Sequence, residues 1–261
     1  MINLLNNSMK MTLSCDCFIE NVQYHFCWLP PGKFKMGAPK EEYLKQTCQR
    51  GQETLHIVTL THGFWMLDTP VTQLMWNSIM PKNPSFWKGD LLPVESVLWE
   101  DCQRFCKLLS DKLQRKIKLP TEAQWEYACR AGTRTAFNCG DTLNGFQANI
   151  NGRAEVLFDD DPAKAAGSPF LGKTTPVRSY SPNNWGLFDM HGNVREFCED
   201  TFNPHISHHP AIDPCYKNES SNLHTTRGGS WLYAPIGCRC STRECGSKEN
   251  EIGFRIIMEQ E

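Results

Sequence analysis

The spacing of apolar side chains predicts an amphipathic helix over residues 99–113. Apolar residues recur there at steps of three and four positions, which places them on one helical face: Trp99, Cys102, Phe105, Cys106, Leu109 and Leu113. A second helix is predicted over 122–130, with Thr121 as its capping residue, Pro120 just outside it and Ala131-Gly132 ending it. A shorter helix follows Thr69 or Thr72 and runs through Trp76 to Met80.

The remaining pattern predicts short strands joined by long loops. Apolar runs over 24–36, interrupted by Pro30-Pro31-Gly32, predict two strands and a turn, and Val58–Leu67 predicts a further strand. The last strands are expected on either side of 238–250, whereas 132–181 is expected to form long loops and 202–222 a polar insertion. Residues 1–20 are interpreted as a tail or an added strand, and 21–261 as a single domain. The pattern is that of an α+β fold.

Composition excludes several classes of function. The chain has 27 basic and 29 acidic residues, so nothing in its charge favours nucleic acid as a partner. The N-terminal residues lack a basic segment followed by an apolar run, and no segment is long and apolar enough to cross a membrane. We therefore expect a cytoplasmic protein without membrane association, in which the thirteen cysteines are reduced thiols.

Several motifs in a fixed order point to one family. They are LPPGKFKMG over 29–37, LPTEAQWEYA over 119–128, NWGLFDMHGNV over 184–194, and RGGSW over 227–231 with IGFR over 252–255. With these motifs the chain resembles the formylglycine-generating-enzyme-like family, also called sulfatase-modifying-factor domains, from about Phe26 to its end. The resemblance implies a loop-rich, C-type-lectin-like α+β fold with two main helices.

The resemblance also implies where an oxidase centre would lie. Oxidases of this family bind copper(I) through two thiolates, one three residues after the serine of Gly-Gly-Ser and one five residues later. Here those positions hold Tyr233 and Cys238, and the position of the family's active-site tryptophan holds Arg195. A phenol, whose pKa is near ~10, is a hard and mostly protonated ligand that does not replace a thiolate. We therefore expect no copper site, which leaves Cys238 and Ser230 as the candidate catalytic residues.

Two hypotheses about function remain open. In the first, the domain binds a protein or a small-molecule ligand through the loop 231–250, and Trp231, Tyr233, Ile236 and Arg239 form the surface. Variable proteins of diversity-generating retroelements display the same segment, although the acidic and lysine residues of 244–251 do not fit codons derived from asparagine. In the second, Cys238 and Cys240 form an altered metal centre that oxidises a protein cysteine or a small thiol. The alternative for these cysteines, and for Cys129, is apolar packing.

The resemblance further implies two calcium sites. The first would use Asp189, Glu196 and the carbonyls of Gly192 and Val194. The second would use Asn149 and Ile150. The carboxylate of this second site falls near Pro169, so that Asp159–Asp161 would have to fold back to replace it.

Overall fold

A computed structural model describes residues 13–39, 42, 53–153, 168–246 and 248–260. The strands in these ranges are β1 Ser14–Ile19, β2 Val22–Leu29, β3 Gly32–Met36, β4 His56–Leu60, β5 Phe64–Leu67, β6 Ile117–Lys118, β7 Arg195–Thr201, β8 Ala211–Ile212, β9 His224–Arg227, β10 Arg243–Gly246, β11 Ile252–Phe254 and β12 Ile257–Glu259. The helices are α1 Gln73–Asn77, α2 Trp99–Leu113 and α3 Glu122–Arg130, and a 3₁₀ turn covers Pro235–Cys238.

Three small sheets organise the chain. The first has the order β1-β2-β5-β12-β6, the second β10-β9-β7-β11, and the third β3-β4-β8. Only the pairs β7–β11 and β4–β8 are parallel among the described strands. Because β7 lies between β9 and β11 in the second sheet, this sheet brings the motif at 227–231 beside the motif at 252–255.

Local signals placed α2 and α3 correctly and α1 at its start. Helix α2 has the predicted bounds and buries Cys102, Phe105, Cys106 and Leu109 on one face. Helix α3 begins after Thr121, whose side chain accepts a hydrogen bond from the amide of Gln124 at 3.2 Å, and ends at Ala131 in the left-handed conformation. Helix α1 is capped by Thr72 and ends at Asn77 rather than Met80.

Two predictions about strands were wrong. Val58–Leu67 is not one strand, because the chain turns at 61–63 between β4 and β5. At this turn Gly63 lies against Trp28, and a Cβ on Gly63 would be 2.4 Å from the indole ring. The segment 238–250 does not lie wholly between strands either, because it contains β10, which pairs with β9.

The cores are made from both helices and strands. The largest cluster packs α1 and α2 against β2 and β11, and Trp76 stacks on Phe105 at a centroid distance of 5.6 Å. A second cluster packs α3 against β4 and β5.

Within the described ranges the cysteines are free thiols. No helix in these ranges combines the length and the apolar character that a membrane span requires. The predicted α+β class is confirmed.

Candidate functional site

The segment after β9 turns sharply around a buried cysteine. Gly228 and Gly229 have φ values of +93° and +67°, which favour glycine, and they lead the chain from β9 to Ser230. A Cβ on Gly229 would lie 2.3 Å from the Sγ of Cys238. The close approach of this sulfur to the backbone therefore explains why glycine occupies position 229.

Tyr233 occupies the position of the first oxidase cysteine and is tied to a charged cluster. Its hydroxyl donates a hydrogen bond to Oε2 of Glu244 at 2.6 Å, and the guanidinium of Arg195 lies 5.3 Å from the centre of its ring. Burial, together with the hydrogen bond to Glu244, raises the pKa of the Tyr233 hydroxyl. The phenol is therefore protonated at neutral pH.

Arg195 is the centre of this cluster. Its Nη1 lies 3.0 Å from Glu244, and its Nη2 lies 2.5 Å from Glu249 and 3.1 Å from Glu251. Ser230 donates its hydroxyl to Oε2 of Glu251 at 2.5 Å. Three carboxylates thus surround one buried guanidinium at the position of the family's active-site tryptophan. Residue spacing could not indicate this cluster, because its members lie on different strands and loops.

Cys238 and Cys240 point into different parts of the core. Cys238 packs with apolar side chains of the loop 137–150, and its burial raises the pKa of its thiol. Cys240 belongs to the cluster built around α3. The structure therefore does not join these two side chains into one centre.

The donor set around Cys238 does not fit copper(I). Two soft thiolates are needed to hold this ion, and Cys238 supplies one sulfur. The other expected position holds the protonated Tyr233, which is engaged with Glu244. Ser230 is likewise engaged with Glu251 and accepts a hydrogen bond from the amide of Leu232 at 3.2 Å.

The structure places the predicted binding residues at different depths. Trp231 is only 9% exposed and stacks on Phe170 at a centroid distance of 6.3 Å. Arg239 is buried and pairs with Glu53 at 2.8 Å. Tyr233 and Ile236 are half-buried. In this structure Trp231 and Arg239 support the loop from beneath and do not present their side chains to a ligand.

Exposed apolar residues lie in and around this loop, and the sequence did not single out the two that come from other segments, Leu171 and Phe146. Leu232 is 47% exposed, Leu171 is 47% exposed and Phe146 is 71% exposed. Their segments are in contact: Phe170 stacks on Trp231, and Gly145 packs closely against Pro169. Alternation along the sequence does not identify these residues, because all three lie outside helices and strands.

Asp189 and Glu196 differ in their suitability for the first calcium site. Asp189 makes no salt bridge among the described residues, and burial raises the pKa of its carboxyl to about 6. A bound cation would offset the free-energy cost of burying the ionised carboxylate. Glu196 is already bound by Arg255 at 2.6 and 2.7 Å and by the indole N–H of Trp125 at 2.7 Å, so little of its carboxylate is free. Gly192 and Val194 are buried beside them.

The second calcium set shows an unpaired oxygen. The side-chain oxygen of Asn149 is buried and has no hydrogen-bond partner in the described part of the chain. Ile150 accepts a hydrogen bond from the amide of Gly152 at 3.0 Å through its carbonyl. These donors are compatible with a hard cation. The predicted contribution of Asp159–Asp161 lies outside the described residues, and calcium at either set stays a prediction.

A group of thiol and imidazole side chains lies behind the loop. The ligand atoms of Cys129, His191 and Cys240 all lie within 4.8 Å of one another, and the three residues are buried. Burial alone raises the pKa of Cys240, but the hydrogen bond from Cys129 and the contact with His191 outweigh it and lower the pKa. Cys129 was expected to be a packing residue; it is buried as expected, and it also belongs to this group. Spacing could not identify the group, because Cys129 and Cys240 are 111 positions apart.

Comparison with known proteins agrees with the motifs. Residues 20–260 match the family described as the sulfatase-modifying factor enzyme 1-like domain. The formylglycine-generating enzyme of Mus musculus is 28% identical over 209 residues, which cover 77% of this chain and 52% of the mouse protein. The chain spans about half the length of the curated relatives it matches.

Solved structures share the fold over nearly the whole chain. Variable protein 1 of Treponema denticola has a TM-score of 0.77 at 22% identity and covers 95% of this chain and 99% of its own. PvdO of Pseudomonas aeruginosa has a TM-score of 0.78 at 24% identity, with coverage of 94% and 98%. At these identities the likeness concerns the fold, and the predicted formylglycine-generating-enzyme fold, of the C-type-lectin-like kind, is confirmed.

Proposed function

Because the chain belongs to the sulfatase-modifying factor enzyme 1-like domain family, we propose that it is a member without the copper oxidase centre. In this proposal it binds a protein or small-molecule ligand through the loop 231–250. The observation that carries the proposal is the cluster around Arg195. Tyr233, with its hydroxyl on Glu244, fills the position of one copper ligand, and Arg195 with its three glutamates fills the position of the active-site tryptophan.

The chemistry of this cluster argues against oxidation of a cysteine. A copper(I) oxidase needs a second soft ligand that can release a proton, and the Tyr233 phenol is both hard and held in its protonated form. The one sulfur that remains, on Cys238, is fully buried among apolar side chains. A metal or a substrate thiol would have to displace this packing to reach it.

The exposed apolar residues around the loop support a binding role. Leu232, Leu171 and Phe146 lie at the outer face of segments that pack against each other, and exposed apolar side chains of this kind are typical of recognition surfaces. The buried Trp231, next to Leu232 in the chain, packs on Phe170 and anchors the loop to the segment of Leu171. A preorganised loop loses less conformational freedom when a ligand binds.

Peptide selection tests the binding proposal directly. Peptides selected from a random library for binding to the wild type should lose affinity at least about tenfold on Leu232→Asp and on Leu171→Asp. The matched control is Phe18→Asp, because Phe18 is 58% exposed on β1, in another sheet. Equal affinity for all three variants, or failure to select any binder, would contradict the proposal.

A copper(I) titration tests the oxidase alternative. The reduced wild type and Cys238→Ser are compared at matched concentrations of a copper(I) chelator. We expect no tight equivalent that depends on Cys238. One tight equivalent that is lost in Cys238→Ser, together with conversion of a cysteine peptide to formylglycine detected by mass spectrometry, would overturn the proposal.

A further inference from the structure

We propose that Cys129, His191 and Cys240 bind a zinc ion in tetrahedral geometry. The three side chains come from the C-terminal end of α3 and from two separate loops, and they meet in the interior. The two Sγ atoms are 3.6 Å apart, and the Sγ of Cys129 is 3.9 Å from Nε2 of His191. Two thiolates and one imidazole are a donor set that zinc commonly takes.

The distance between the sulfurs favours tetrahedral over linear coordination. Zinc–sulfur bonds are about 2.3 Å long, so two thiolates at the tetrahedral angle are about 3.8 Å apart. A near-linear arrangement of the same bonds would separate the sulfurs by about 4.6 Å. The observed 3.6 Å lies close to the first value. Nε2 of His191 lies within 4.8 Å of both sulfurs.

The imidazole of His191 is already oriented as a ligand. Its Nδ1–H donates to the carbonyl of Cys238 at 2.7 Å, which assigns the lone pair to Nε2 on the side of the two thiols. A backbone carbonyl that fixes the second ring nitrogen is the usual outer partner of a zinc-bound histidine. In this structure the amide N–H of Asn138 donates to Nε2 at 3.1 Å, and zinc would replace this hydrogen bond.

One residue of the group also borders a depression. His191 lines a small depression together with Asn138, Tyr180 and Asp189. Zinc that enters from this side displaces the remaining thiol protons and keeps a fourth position for water. The inference does not depend on the proposed binding function, because Cys238 and Leu232 supply none of the three ligand atoms.

Metal titration with ligand variants tests the site. Cobalt(II), used as a spectroscopic substitute for zinc, should bind the metal-free protein at one equivalent per chain, with thiolate-to-cobalt absorption that zinc removes. Cys129→Ser and Cys240→Ser should each weaken binding by at least about tenfold. Cys198→Ser is the matched control, because Cys198 is equally buried in the same core cluster and is not in the group. It should bind like the wild type.

X-ray absorption on the zinc-loaded wild type gives an answer that does not depend on how the variants fold. We expect two sulfur neighbours near ~2.3 Å and nitrogen or oxygen neighbours near ~2.0 Å. Absence of a bound equivalent in the wild type would overturn the proposal. A coordination shell without sulfur, or binding that is unchanged in both Cys129→Ser and Cys240→Ser, would overturn it as well.

Discussion

Arg227 connects helix α3 to the loop that carries Cys240, and its removal is predicted to destabilise the fold strongly. Its side chain is 1% exposed; it pairs with Glu126 and lies 3.1 Å from Glu122, both on α3. Its Nη1 donates to the carbonyls of Cys240 at 3.0 Å and Thr242 at 2.7 Å. The substitution Arg227→Met keeps much of the side-chain volume but removes the positive charge and the N–H donors.

The expected loss of stability depends on how many buried partners of Arg227 are left without a counter-charge or a hydrogen-bond donor. Loss of one partner of a buried ion pair costs about 3–5 kcal/mol, because the other charge stays desolvated. Here Glu126 keeps Arg130 at 2.8 Å and Glu122 keeps Arg243 at 2.5 Å, which lowers that cost. The two carbonyls lose their charged donor, at about 1–3 kcal/mol each if no water replaces it. We expect a net loss of about 3–5 kcal/mol in the free energy of unfolding.

The pH dependence of the free energy of unfolding offers a second, independent test of the role of Arg227. Burial alone raises the pKa of Glu122 and Glu126, but their arginine partners outweigh it and lower both values. A lowered pKa contributes stability that is present above the unfolded pKa, near ~4.3, and is lost as the pH falls through the folded pKa. Without Arg227 these carboxyls accept protons more easily. The difference in the free energy of unfolding between wild type and variant should therefore narrow as the pH falls below ~4.3 towards the lowered pKa values of the wild-type carboxyls.

Urea unfolding at several pH values is the assay. The control is Lys217→Met, which removes a surface pair with Glu199 at 2.5 Å in which the lysine side chain is 47% exposed, and it should change the free energy of unfolding by about 1 kcal/mol or less. A loss below about 1 kcal/mol for Arg227→Met would contradict the role assigned to Arg227, since that is the value of a surface pair. If the difference in the free energy of unfolding between wild type and Arg227→Met does not change with pH, its origin does not lie in Glu122 and Glu126.

Three further predictions concern other parts of the molecule. Gly229→Ala should lower the free energy of unfolding by at least about 2 kcal/mol in urea titrations, because position 229 has a positive φ and an added Cβ would press on Cys238. Gly132→Ala is the control: position 132 also has a positive φ but open space around it, so the loss should be about 1–2 kcal/mol. Equal losses in the two variants would contradict the effect of the contact with Cys238. Burial raises the pKa of the Asp200 carboxyl to about 7. The protonated carboxyl therefore contributes fully to the free energy of unfolding below pH ~4, and this contribution, up to about 4 kcal/mol, is lost as the pH rises towards 7. Asp200→Asn should flatten the dependence of the free energy of unfolding on pH between ~4 and ~7, and an unchanged slope in that interval would exclude Asp200 as its source. Calcium should raise the thermal midpoint of the wild type but not of Asp189→Asn, as differential scanning fluorimetry can measure; an equal rise in both would exclude Asp189 as a ligand.

The motifs predicted the family, and they also identified the positions on which the proposed loss of the copper centre rests. The positions of Tyr233, Cys238 and Arg195 relative to Gly-Gly-Ser and to the preceding motif were sufficient to expect that copper would lack a ligand. Spacing could not show which side chains surround Arg195. Arg195 and Glu251 are 56 positions apart and meet only because β7 pairs with β11 in parallel.

The depth of each side chain in the binding loop also depended on tertiary packing. Trp231, Tyr233 and Ile236 look alike as a run of apolar residues, yet Trp231 is buried under Phe170 and the other two are half-buried. The exposed residues Leu171 and Phe146 come from loops far away in the sequence. Alternation can indicate a side for a residue in a strand, but it indicates none in a loop.

The sequence by itself determined the helices, because a helix is specified by contacts three and four residues apart and by caps at its ends. The bounds of α2 and the cap of α3 follow from these local rules. The tertiary structure decided which distant groups share the interior. Cys129 meets Cys240, and Arg227 meets Glu126, because sheet pairing and the packing of α3 bring these segments together, and burial then requires each polar group to find a partner.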